Sequence, residues 1–141
     1  MFNFNFDRKA IIIVIAIMLV AWISSLGAGG LLGIILTLPA VIIAMTFHEY
    51  AHALAAYKLG DDTAKNQGRL NLNPLTHLDP IGTLMLLVAG FGWGKPVEVN
   101  PRNYTRKMSM EKGEAIVSAA GPLMNIVLAF IFAIIYFAIY K

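Results

Sequence analysis

The chain has 141 residues, a length that suits one domain. It is 58% hydrophobic and 13% charged, with a mean hydropathy of +0.70, whereas a soluble domain is about half apolar and about a quarter charged. This balance points to lipid, and with a net charge of only +3 it argues against nucleic acid as a partner. There is no cysteine, so disulfide frameworks and thiolate metal sites are excluded, and any metal must be held by His, Asp or Glu.

In chain order, Met1 to Lys9 is short and polar, and an apolar run from Ala10 to Leu26 follows it. At 1.5 Å per residue the run is about 25 Å long, just enough to span a membrane. It lacks an A-x-A cleavage site and more apolar segments follow, so it reads as a retained helix and not a signal peptide. Gly27, Gly29 and Gly30 then break the pattern. The next run, Leu31 to Leu59, is too long for one straight span. Pro39 predicts either a kink or a true helix start near Leu38. From Leu38 to Leu59 is roughly 33 Å, one crossing. Lys58 falls in the last turn, Gly60 where the helix closes, and Asp61-Asp62-Thr63 continues as a polar loop.

Pro80 to Trp93 is too short to cross and is rich in glycine, which predicts a re-entrant or half-buried helix. Trp93 to Pro101 reads as a short extended segment bounded by turns, with Val97 and Val99 on one face and Glu98 opposite. Ala115 to Tyr140 is a full span with a candidate kink at Gly121-Pro122. Tyr136 and Tyr140 form an interfacial belt. The expected fold class is therefore an all-α membrane protein. It is a bundle of about three transmembrane helices plus a short re-entrant helix and a short extended loop, all in one domain over residues 1–141.

The charges agree with this layout. Arg8 and Lys9 precede the first run, and the loop after that run is uncharged. Lys58, Lys65 and Arg69 follow the second run, and Lys95, Arg102, Arg106, Lys107 and Lys112 follow the third. If the third run re-enters without crossing, all of these lie on one side and Lys141 alone on the other. The positive-inside rule then places the N-terminus and both long loops in the cytoplasm. No internal repeat is evident, which argues against a transporter fragment.

His48 and His52 are four residues apart, so a helix puts both imidazoles on one face, where they can bind one zinc ion. Glu49 follows the first histidine, placed to take a proton from a metal-bound water that attacks a carbonyl. Counted from Leu38, His48 is about 15 Å deep, where Glu and His are costly and usually functional. The bland alternative is that both histidines are satisfied interior polar groups and the five-residue match is chance. Asp79 has two readings that do not exclude each other. It is a carboxylate that completes a His-His-acid site, or, followed by Pro80, the N-cap of the third segment. His77 reads either as a partner behind the site or as a loop residue. An edge strand at Val97–Val99 would pair with a locally extended substrate, against the alternative of an ordinary interfacial hairpin. Asn125 reads either as a hydrogen-bonded amide between helices or as a contact to substrate backbone or a developing oxyanion.

These stretches together resemble a known family. His48-Glu-Tyr-Ala-His52, Tyr57-Lys-Leu-Gly-Asp-Asp-Thr63, Gly68-Arg-Leu-Asn-Leu-Asn-Pro74, His77-Leu-Asp-Pro-Ile-Gly82, Phe91-Gly-Trp-Gly-Lys-Pro-Val97 and Ala120-Gly-Pro-Leu-Met-Asn125 cover most of Phe47 to Asn125. They look like the compact bacterial and archaeal site-2 protease relatives that lack appended regulatory domains. The resemblance implies a zinc endopeptidase that cleaves within or near membrane-spanning segments. It makes His48 and His52 zinc ligands and Glu49 the catalytic glutamate. It also brings the Gly121-Pro122…Asn125 helix close to the site. In that family the third ligand comes from an Asp-Gly pair in a proline-rich motif on a later helix, and no such motif follows Asn125 here. The expectations are a truncated chain, a substitution by Asp79, or an incomplete site.

The function expected from the sequence is thus an intramembrane zinc metalloendopeptidase with Zn2+ as cofactor. Its partners are a membrane-protein substrate helix and the lipid bilayer, in a bacterial or archaeal cell membrane with a cytoplasmic N-terminus. The alternative is a catalytically incomplete membrane protein of the same fold that binds helices or zinc without proteolysis.

Overall fold

The computed structural model describes residues 8–105 and 108–141. It is mostly helical. Helix α1 (Arg8–Lys58) leads through short helices α2 (Thr63–Asn66) and α3 (Pro74–His77) to α4 (Pro80–Ala89). A 3-10 turn (Pro101–Asn103) precedes α5 (Met110–Ile139). The expected positive charges at Arg106 and Lys107 lie outside the described residues.

Among the described residues two helices are long and apolar enough to cross a membrane, Leu32–Lys58 and Met110–Ile139, where about three were expected. The first apolar arm, Lys9–Ser25, is shorter, and it joins the second through Gly27. Gly27 has φ 61° and ψ −179°, a positive-φ geometry that a residue with a Cβ adopts only at a cost of about 1 kcal/mol or more. The break in α1 is therefore at Gly27 and not at Pro39, through which the helix continues. Proline removes the bond to the Ile35 carbonyl, yet long apolar helices tolerate that loss where neighbours re-satisfy the freed group. The spanning arm accordingly begins near Leu32 and not Leu38. His48 then sits about 24 Å from its start and about 15 Å from Lys58.

Helix α4 ends earlier than the apolar run suggested, at Ala89, with Gly90 in a left-handed conformation (φ 75°). The chain turns back at once, so that Leu78 and Gly94 form an isolated antiparallel bridge. The Lys95 N–H donates to the His77 carbonyl at 2.7 Å. Beyond that bridge the expected extended segment forms no strand among the described residues. Helix α5 starts five residues before Ala115. Ser109 caps it by accepting from the Lys112 N–H, Glu111 complements the dipole in the first turn, and the helix runs on through Pro122.

Helix α5 packs along α1. Small residues are buried on both helices, Ala51, Ala53 and Ala56 on α1 and Gly113 and Gly121 on α5, and Gly121 lies directly against the α1 histidines. Small residues let backbones approach closely where lipid supplies no hydrophobic drive between helices. A compact cluster of Ala56, Tyr104 and Val117, flanked by Ala55, Leu59 and Val99, ties the end of α1 to the start of α5. Elsewhere the apolar side chains face outward. In the most apolar window of each spanning helix only 6% and 0% of residues are buried, which is the reverse of a soluble core helix and what a lipid environment requires.

Candidate metal centre

The spanning arm of α1 carries His48, Glu49 and His52 in consecutive turns, and the two imidazoles stack edge to face with ring centroids 4.7 Å apart. Both rings lean on Gly121 of α5. A Cβ placed on Gly121 would sit 2.3 Å from His52 Nε2 and 2.6 Å from His48 Nε2. The two Nε2 atoms therefore converge on one small volume, a volume that exists because residue 121 has no side chain.

The far side of each ring is tethered to the same helix. His52 Nδ1 lies 2.6 Å from the Val117 carbonyl oxygen. A carbonyl can only accept, so Nδ1 carries the proton and Nε2 presents a bare lone pair. His48 Nδ1 lies 3.1 Å from the Asn125 side-chain amide, and the other amide atom of Asn125 is buried without a hydrogen-bond partner. Amide oxygen and nitrogen are interchangeable in such a placement. With the oxygen on the ring, His48 Nδ1 donates and its Nε2 carries the lone pair that a metal would need. The Asn125 N–H groups are then left as open donors. Backing a metal-binding imidazole with a carbonyl or amide oxygen fixes its tautomer and orientation.

Glu49 lies on the neighbouring side of the turn, and its Oε2 accepts from the Val97 N–H at 3.0 Å. Glu49 and His52 together with Pro96, Val97, Val99, Val117 and Ser118 line a cleft of about 210 Å³. Val97 and Val99 face this cleft while Glu98 is exposed and bonds Gln67 at 2.6 Å, the alternation expected from the sequence.

Asp79 takes the cap position: its Oδ1 accepts from the Gly82 N–H at 2.7 Å, with Pro80 as the first helical residue. No group of three His, Asp or Glu side chains is gathered among the described residues. The site thus presents two imidazole nitrogens, a donor type that suits zinc, and the structure does not bring Asp79 into a cluster with them. His77 is fully buried, with Nε2 2.8 Å from the Asn71 carbonyl and Nδ1 unpartnered.

Sequence reasoning assigned no role to Asp61. It is fully buried and accepts from the Asn100 N–H (2.6 Å), the Asn103 amide (2.8 Å), the Thr63 N–H (3.1 Å) and the Thr63 hydroxyl. Its signal was an Asp two residues before a Thr, the pattern of a side-chain turn. Its partners at 100 and 103 have no local signature. The backbone contacts of Val117 and Val97 were equally invisible, because carbonyls and N–H groups carry no residue identity.

No family model matches the chain, and no solved structure matches it. Curated relatives do, among them the following three. A Bacillus subtilis (strain 168) protein named "Putative zinc metalloprotease YwhC" is 56% identical over 91 residues, which is 64% of this chain and 40% of that protein. Proteins named "Putative zinc metalloprotease Rip2" are 34% identical over 101 residues in Mycolicibacterium smegmatis, covering 67% of this chain and 37% of the relative. In Mycobacterium tuberculosis (strain H37Rv) the figures are 32% over 92 residues, 62% and 34%. The chain spans about two fifths or less of the length of these relatives. Those names describe the relatives, and in this chain the two apolar helices are long enough to cross a membrane.

Proposed function

We propose that this chain forms the centre of an intramembrane zinc metalloendopeptidase of the site-2 protease type. The carrying observation is that His48 and His52 turn their Nε2 atoms to one volume beside Gly121 while Val117 and Asn125 hold both Nδ1 atoms from behind. Glu49 stands beside them, tied to a backbone N–H. The relatives named as zinc metalloproteases support the same reading.

In this reading His48 and His52 hold the ion. When bound, zinc polarises the scissile carbonyl and lowers the pKa of an attacking water. Glu49 accepts a proton from that water and passes it to the leaving amide nitrogen, and the Val97 N–H holds the carboxylate in position for both transfers. Asn125, with its N–H groups open, donates to the oxygen that gains charge. Asp79, which caps α4, is the candidate third ligand. The bilayer hosts about three crossings with α4 re-entrant, and the substrate is a membrane-protein helix unwound near the site.

The experiment combines metal content and cleavage. Purified protein carries about one zinc per chain, lost in His48→Ala/His52→Ala. Glu49→Gln retains zinc and abolishes cleavage of a model membrane substrate. Asp79→Asn keeps the helix cap but is a poor ligand, so unchanged zinc affinity would reject Asp79 in that role. A second reading is favoured by the missing third ligand among the described residues: a membrane protein of this fold that binds zinc or other helices without proteolysis. Zinc bound with no cleavage across a substrate panel would select it.

A further inference from the structure

We infer that the cleft beside Glu49 is a side-chain subsite that selects a medium-to-large apolar residue next to the scissile bond. This rests on the proteolytic reading above and adds to it a substrate class.

Each wall of the cleft is hydrogen-bonded to one of the reacting side chains. On one wall, the Val97 N–H donates to Glu49 Oε2 at 3.0 Å. On the other, the Val117 carbonyl accepts from His52 Nδ1 at 2.6 Å. Whatever fills the space between Val97 and Val117 is therefore held between the base and a metal-binding imidazole. Its own backbone lies within reach of both, so the occupant is a residue flanking the bond to be cut.

The chemistry of the walls defines the occupant. Val97, Val99 and Val117 present branched apolar surface, and Ser118 stands at the exposed rim. The volume, about 210 Å³, exceeds the roughly 150 Å³ that accepts a benzene-sized guest. Leucine, methionine and phenylalanine side chains fit. Glycine and alanine leave the space unfilled and forgo its apolar contact. Aspartate would face the Glu49 carboxylate, and burying any charge among three valines is costly.

The test uses the full chain in lipid vesicles and a library of lysine-flanked single-span peptides randomised over four central residues. Mass spectrometry of the products reads the residues on either side of each cut. Leu, Met and Phe are expected on one side of the cut, with kcat/KM at least tenfold above Gly at that position and Asp absent. Ser118→Leu, which fills the rim, shifts the preference towards Gly and Ala. Val99→Ala, which widens the cleft, raises cleavage at Phe relative to Leu and covers the case in which Ser118→Leu fails to fold. Cleavage by the wild-type protein without enrichment on either side, or with a preference that neither variant moves, overturns the subsite while leaving the protease reading intact. A wild-type protein that binds zinc but cuts no member of the library overturns the protease reading, and the subsite falls with it.

Discussion

Gly121 shows how one residue on a distant helix sets the chemistry of another. Helix α5 can lie on the imidazoles because nothing projects from residue 121. An alanine there would place its methyl 2.3 Å from His52 Nε2 and 2.6 Å from His48 Nε2, far inside van der Waals contact. Gly121→Ala is therefore expected to push the rings apart and to lower zinc affinity at least tenfold, about 1.4 kcal/mol. Helix content should stay unchanged by circular dichroism, since alanine favours helix over glycine. Metal titration against a competing chelator checks it. The His-Glu-x-x-His spacing was legible in the sequence because it is a local property of one helical turn. The role of Gly121 was not, because it depends on which face of α5 meets α1. Asn125 was legible as an amide either hydrogen-bonded between helices or in contact with substrate, on a helix that the resemblance brings close to the site. Its contact with His48 Nδ1 is a fact of helix packing.

At the scale of elements, the ends of α1 and the 3-10 turn at Pro101–Asn103 are joined through Asp61. Burial disfavours its charge, but the donors from Asn100, Thr63 and Asn103 outweigh this and hold the carboxyl below its ordinary value of 3.8. A folded pKa below the unfolded one gives stability that is present above the unfolded value and lost as pH falls through the folded one. The stabilisation is thus expected to be complete above about pH 4 and to fade below it, and Asp61→Asn removes this pH dependence. Asp61→Ala leaves the Asn100 N–H and the Asn103 amide without their acceptor and is expected to cost about 2–4 kcal/mol. Unfolding in micelles monitored at several pH values measures both effects. The same turn brings Tyr104 over Gly113, where burial first, and then the charges of Asp61 and Glu114, push the phenol above its ordinary value. Element boundaries were legible where capping chemistry is local, as at Gly60 and Asp79. At Pro39 the sequence offered a kink or a start near Leu38, and the start is excluded because a long apolar helix continues across a proline once its flanks are committed.

For the whole molecule, the distribution of basic residues predicts the side of the membrane on which each loop lies. Lys65, Arg69, Lys95 and Arg102 all fall between the two spanning helices, and Lys141 follows the second. The positive-inside rule predicts a cytoplasmic connecting region, which labelling tests. The chain has no cysteine, so single introduced cysteines report without background. Lys65→Cys and Arg102→Cys are expected to react with a membrane-impermeant maleimide only in inside-out vesicles, and Lys141→Cys only in right-side-out ones. Labelling of residues 65 and 102 from opposite faces would show that α4 crosses, and the topology would need redrawing.

What the residues alone determined is the apolar character of the long helices and the placement of two histidines and a glutamate on one helical turn. Hydropathy sums over a window, and a helical turn places i and i+4 together whatever surrounds them, so lipid and a histidine pair with its glutamate could be read without coordinates. What only the tertiary structure decided is how those groups are held. The seat beneath the imidazoles at Gly121, the backbone tethers at Val117 and Val97, the Asp61 junction and the cleft between the valines all join residues far apart in the chain. Each depends on the close packing of α5 against α1, and a contact between two backbones leaves no signature in either sequence.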